Sequence, residues 1–281
     1  MRHILATAAA VGLILYNTTL TDPTAPEPVP EPIREEIAVT TPEPAPVPEP
    51  EPEPEPVPEE PADEPKHWTA VPVDLTLDQL MEKVADESYL DELRAFYDGA
   101  LFIGDSRTAG FDRFSHIETA DYFASTGMTT YQVLTDEAEL NDGTVTTLDE
   151  MLEKREHDRI FIMLGINEMG DTVPNIANQY AVVVDELLSR DLGAQLIVMA
   201  NMHVTSGRSE KDEVFNNPRI DELNELIRQL AADRGLEYLD VNPLFDDESG
   251  QLNAEYTFDN THVLGKYYKA WSAWIYESLK G

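Results

Sequence analysis

The sequence has no cysteine. Disulfides, thiolate metal centres and a thiol nucleophile are therefore excluded. Basic residues are scarce: 19 Lys and Arg stand against 55 Asp and Glu, for a formal charge of −36. Such a chain repels nucleic acid and anionic membrane surfaces, so neither is an expected partner. Histidine is sparse too. Of six in the chain, only His67, His116, His157, His203 and His262 lie beyond the first few residues, so any imidazole chemistry must use one of these. The many carboxylates are scattered and form no ligand set specific for a metal, and no cofactor is expected. Only four of the 20 prolines lie outside residues 22–66, so little interrupts regular structure in the rest of the chain.

What is present divides the chain into unlike parts. Arg2 and His3 precede an apolar run of 13 residues, Ile4 to Tyr16. That is the length of an export-signal core and falls short of the ~20 residues a comfortable membrane span needs. No clear Ala-x-Ala site follows, so residues 1–21 are expected to be a signal peptide or a retained membrane anchor. Residues 22–66 hold 16 prolines, 14 acids and two bases. Proline removes backbone donors and the acids repel one another, so no core can form there. At ~3.1 Å per residue, a polyproline II-like segment of this length could reach on the order of 140 Å. A disordered stalk after an export segment places the rest of the chain outside the cytoplasm, secreted or anchored.

From residue 67 onward the pattern is globular. Residues 67–97 read as a helical extension of one or two helices, with apolar positions at Leu77, Leu80, Met81 and Val84, then Leu90, Leu93 and Phe96. Residues 98–281 alternate short apolar runs with helical segments. The runs are ALFIGDS, ADYFAS, RIFIMLG, QLIVMAN and LEYLDVNPLF. Five strands separated by helices imply an α/β domain with a parallel sheet covered on both faces. One helix starts near Asn217, the expected N-cap, with Pro218 in the first turn and Gly235 at the stop. In such sheets, sites form at the carboxyl ends of strands.

Three strand ends and one loop carry reactive or polar groups. The first strand ends in Gly104-Asp105-Ser106, the second is followed by Gly127, and the third by Gly165-Ile166-Asn167-Glu168. Asp259 stands three residues before His262, in the loop before the last helix. That spacing lets one turn carry a carboxylate and the imidazole it orients. Taken singly, each signal has an ordinary reading: a strand exit, a turn glycine, a turn asparagine, a helix cap beside an exposed histidine.

Together and in this order, the four blocks resemble those of the SGNH hydrolases, the GDSL-like esterase/lipase superfamily. The resemblance covers residues from about 98 to 281. It implies a flavodoxin-like three-layer α/β/α sandwich with a five-stranded parallel sheet. It also implies that Ser106 is a nucleophile, His262 its base, and Asp259 the group orienting His262. The oxyanion hole would comprise the Ser106 and Gly127 amides and the Asn167 side chain. Two positions depart from the family's usual pattern: Arg107 where leucine is common, and Glu168 where aspartate is common.

Arg107, Glu168 and His203 are candidate substrate contacts, with Arg208 and Lys211 also on the long segment 201–218, which is expected to fold over the site. Tyr267, Tyr268, Trp271 and Trp274 on the closing helix are expected in the core. The favoured function is an exported serine esterase for small acyl esters, acetyl above all, on cell-envelope or extracellular carbohydrate. The alternatives are an O-acyltransferase on glycans, a lysophospholipase or lipase, and a catalytically silent surface binding module.

Overall fold

The strands form because their side chains are apolar at nearly every position, as a sheet covered on both faces requires. The computed structural model describes residues 67–280. The export segment and the Pro/Glu-rich linker expected over residues 1–66 lie outside the described residues.

Helices α1 (Leu77–Lys83) and α2 (Glu87–Tyr97) lead into β1 (Ala100–Gly104), α3 (Ser106–Phe114) and β2 (Asp121–Ala124). A small hairpin, β3 (Ala138–Glu139) with β4 (Val145–Thr146), precedes α4 (Leu148–Lys154). Then come β5 (Arg159–Met163), α5 (Val173–Ser189), β6 (Gln195–Met199), the single turn α6 (Ser206–Ser209), α7 (Asn217–Arg234) and β7 (Glu237–Leu239). The short α8 (Asn242–Phe245) and the long closing helix α9 (Tyr268–Leu279) complete the order.

The main sheet runs β2-β1-β5-β6-β7, and every pairing in it is parallel. Alternation along the strands divides two cores. Phe102, Phe161, Ile197 and Leu239 face α1, α2, α3 and α9 on one side. Leu101, Ile103, Ile160, Ile162 and Val198 face α4, α5 and α7 on the other. This is the expected three-layer α/β/α arrangement with five parallel strands. Trp271 and Tyr268 are buried in the first core, with Tyr267 and Trp274 packed against it.

Residues 67–97 join the first core directly. Leu80 and Leu93 are fully buried, and the Tyr97 hydroxyl donates to the Ser272 carbonyl at 2.7 Å. Trp68 exchanges two hydrogen bonds with Gln195, the first residue of β6, at 2.7 and 2.6 Å. The start of the described chain therefore lies at the amino-terminal edge of the sheet.

One helix start differs from expectation. Asn216, not Asn217, caps α7, accepting from the Arg219 N–H, and Pro218 is the second helical residue. Asn217 is drawn away because its amide bonds the Val204 N–H and carbonyl, both at 2.8 Å. Gly235 ends the helix at φ 66°, left-handed geometry that glycine adopts without steric cost.

β1 and β5 are neighbours, and the chain proceeds from them to opposite sides of the sheet. That reversal opens a crevice at their carboxyl ends.

Candidate active site

Ser106 stands where β1 becomes α3. Gly104 is needed there: a Cβ on it would lie 2.0 Å from Thr108 Oγ1 and 2.8 Å from the Met163 carbonyl oxygen. Asp105 caps α3 by accepting the Arg107 N–H at 2.8 Å. It is fully buried, and burial pushes its carboxyl above the usual range against the pull of nearby Arg107. Ser106 is thus the first residue of a helix, and its N–H belongs to the first turn, which has no intrahelical acceptor.

His262 reaches Ser106 from the loop before α9. Its Nε2 lies 2.8 Å from Ser106 Oγ, and its Nδ1 lies 2.7 Å from Asp259 Oδ2. The turn orients its own carboxylate. Asp259 Oδ1 accepts the N–H groups of Thr261 at 2.9 Å and His262 at 2.8 Å, and the Thr257 hydroxyl at 3.1 Å. Burial opposes ionisation of Asp259, but the His262 N–H, its ring and the Thr261 N–H outweigh it and hold the pKa down to about 2.

The second and third blocks meet each other beyond the carboxyl ends of β2 and β5. Gly127 has φ 85° and is exposed. The loop holding it is tied to β1 by the Ser125 N–H, which donates to the Gly104 carbonyl at 3.3 Å. Asn167, just beyond β5, donates from Nδ2 to the Met128 carbonyl at 3.0 Å. One of its two amide protons is thereby used to fix the Gly127 loop. Gly165 has φ 112°, and a Cβ there would come within 3.0 Å of Leu223. A depression of about 190 Å3 opens beside Gly127, walled by Ser125, Met128, Gln132, Val133, Asp136 and Glu139 among others. Ser106 and His262 are not part of its walls.

The structure buries two of the three expected substrate contacts, Arg107 and Glu168, and pairs the third, His203, with two carboxylates. Arg107 is 1% exposed. It sits one position past Ser106 on α3, which turns it inward, and its guanidinium donates to the Met202 carbonyl at 3.2 Å. Glu168 is buried and accepts the Thr130 N–H, so it supports the loop after Gly127. His203 has both ring nitrogens engaged, Nδ1 with Asp246 at 2.8 Å and Nε2 with Asp221 at 2.9 Å. Burial lowers its basicity, but the two carboxylates outweigh that and raise its pKa.

Segment 201–218 packs on the turn that holds His262. The Thr205 N–H donates to the Asn260 carbonyl, and Arg208 donates to Thr261 Oγ1. Lys211 is exposed. Thr205, Asn260 and Thr261 are site-shaping residues that the sequence reading missed. The one signal for them was an asparagine between Asp259 and His262, a residue type tolerant of left-handed backbone. Among the described residues no group of three His, Asp or Glu side chains is gathered to hold a metal, and no helix is long and apolar enough to cross a membrane.

The comparisons with known proteins agree with this architecture. The family described as GDSL-like Lipase/Acylhydrolase family matches residues 102–270. A solved structure from Streptococcus pneumonia, provisionally described as a platelet activating factor, superimposes with a TM-score of 0.51 at 20% identity, over 70% of this chain and 93% of that one. A GDSL-like lipase from Bacteroides thetaiotaomicron gives 0.48 at 18% identity, over 67% and 94%. A carbohydrate acetylesterase from Sinorhizobium meliloti gives 0.47 at 18% identity, over 63% and 95%. No curated protein matches the chain.

Proposed function

The chain belongs to the GDSL-like lipase/acylhydrolase family, and from that premise we propose that it is an exported serine esterase that removes small acyl groups, acetyl above all, from carbohydrate. The observation that carries the catalytic half is the hydrogen-bonded chain from Ser106 through His262 to Asp259, at 2.8 and 2.7 Å.

In this reading Ser106 Oγ attacks the ester carbonyl carbon and its proton passes to His262 Nε2. Asp259, ionised across the physiological range, fixes the tautomer and stabilises the imidazolium. The carbonyl oxygen becomes an oxyanion, for which the donors are the Ser106 and Gly127 N–H groups and the remaining Asn167 amide proton. Collapse breaks the bond to the alcohol oxygen, which takes the proton from His262. A water then attacks the acyl-serine and gives a proton to His262; the acyl–Oγ bond breaks, Ser106 Oγ takes that proton from His262, and the carboxylic acid leaves.

The substrate half rests on other grounds. The net charge of −36 disfavours anionic lipid surfaces. Export rests on the sequence of residues 1–66. Trp68 lies at the strands' amino ends, whereas Ser106 lies at a carboxyl end.

The test is acetate release from O-acetylated glycans by the full chain, beside p-nitrophenyl esters of increasing acyl length. Acetate release that vanishes in Ser106→Ala, with preference for the shortest acyl group, is expected. A rising rate with long acyl chains would contradict the carbohydrate reading and favour a lipid ester.

A further inference from the structure

The turn that carries Asp259 and His262 contains a residue in an uncommon conformation. Asn260 has φ 68°, in the left-handed region that few residues with side chains occupy. Such a conformation persists where its surroundings impose it. The turn is closed by the Thr257–Val263 bridge and by the Asp259 carboxylate, and the contacts to Asn260 from outside the turn come from one residue. The Thr205 N–H donates to the Asn260 carbonyl at 3.1 Å, and the Thr205 hydroxyl donates to Asn260 Oδ1 at 2.9 Å. Backbone and side chain of Asn260 are both gripped by a residue 55 positions earlier.

Thr205 is itself held. It is 3% exposed. Val204 before it is fixed by Asn217 on both its N–H and its carbonyl, and its carbonyl also accepts the Leu252 N–H at 3.3 Å. His203 is locked between Asp246 and Asp221. Three residues after Thr205, Arg208 bonds Thr261 Oγ1 and pairs with Asp212 at 3.4 Å. The long segment after β6 is thus a brace laid against the turn.

We infer that Thr205 is a positioning residue: by clamping Asn260 in its left-handed conformation it fixes the turn geometry in which Asp259 meets His262 and His262 meets Ser106. Relaxation of Asn260 to negative φ would rotate the chain between Asp259 and His262. The Asp259 carboxylate would then lose its bonds to the Thr261 and His262 N–H groups together with its grip on the ring. The inference rests on the reading of Ser106, His262 and Asp259 as a triad. Thr205 also caps the single turn of α6, accepting the Arg208 N–H at 3.4 Å, and the test must separate that role from the clamp.

The experiment uses the full chain with Thr205→Val, Thr205→Ser, Asn260→Gly and the Thr205→Val/Asn260→Gly double variant, on p-nitrophenyl acetate. Thr205→Val should lower kcat about tenfold with KM within about twofold, because misplaced catalytic groups slow the chemical step. Thr205→Ser should restore the rate. In the Asn260→Gly background Thr205→Val should add no further loss, since the hydroxyl's acceptor is gone, whereas loss of the α6 cap would add in either background. A second readout does not depend on turnover: the low-field proton NMR signal of the His262 Nδ1–H, assigned by its absence in His262→Gln. It should weaken or shift in Thr205→Val and persist in Thr205→Ser. Multiplicative kcat losses in the double variant, or an unaltered signal in Thr205→Val, overturn the clamp. If the parent shows no Ser106-dependent turnover, the esterase reading fails, and the NMR signal still decides the role of Thr205.

Discussion

Asp259 holds His262 at two points: Oδ1 accepts the His262 backbone N–H at 2.8 Å while Oδ2 meets ring Nδ1 at 2.7 Å. One carboxylate therefore sets both the fold of the turn and the orientation of the imidazole. Asp259→Asn separates the two. Its amide can keep the backbone contact through oxygen but presents N–H groups to Nδ1, which favours the wrong tautomer. The expected result is a fall in kcat of roughly 10³–10⁴ with the fold retained, read by steady-state kinetics beside circular dichroism.

The same carboxylate gives a stability signature. Its folded pKa of about 2 lies below that of an ordinary aspartate. A depressed carboxyl pKa contributes stability that is present above the unfolded value and is lost as pH falls through the folded one. Urea midpoints of the parent should decline between about pH 4 and pH 2, and Asp259→Asn should flatten part of that decline. Parallel curves would refute the assignment.

His203 works in the opposite direction. Asp246 and Asp221 outweigh burial and raise its pKa above 6.5. That stability is complete below the unfolded pKa and is lost as pH rises through the folded value. The parent should therefore lose stability on the alkaline side of about pH 6.5, and His203→Gln should remove that dependence, as thermal melts across pH 6–9 would register.

Gly104→Ala should be poorly tolerated. The added methyl meets Thr108 Oγ1 at 2.0 Å and the Met163 backbone oxygen at 2.8 Å. Thr108 can be shortened but the backbone cannot, so Thr108→Ala should rescue only in part. A loss of about 1–3 kcal/mol or more is expected from denaturant unfolding.

Asn167→Ala should lower kcat about 10²–10³-fold if the amide stabilises the oxyanion. It also frees Met128 and the Gly127 loop. An unchanged kcat would remove Asn167 from the mechanism.

Four of the main strands were legible because a parallel sheet buried on both faces leaves apolar runs such as IFIM in β5, and the helices between them are amphipathic or capped; of the fifth run, LEYLDVNPLF, only Glu237–Leu239 is strand, and Asn242–Phe245 forms α8, with Pro243 in its first turn. The β3–β4 hairpin was not, since two-residue strands carry no periodicity. Asn216 and Asn217 are both competent caps, and only the tertiary pull of Val204 on Asn217 decides between them. At the site, the positions of Ser106, His262 and Asp259 could be read from spacing and order. Arg107 and Glu168 could not, because charged residues are rarely buried and sequence offers no sign that these two are. The brace from segment 201–218 was invisible for a related reason: Thr205 and Asn260 become partners only when the chain between them has folded.

The most direct measurement is kcat/KM for p-nitrophenyl acetate with the full chain beside Ser106→Ala and His262→Ala. The parent should turn the ester over, and each variant should lose roughly 10³-fold or more. A folded parent no faster than Ser106→Ala would contradict the assignment of Ser106 as the nucleophile.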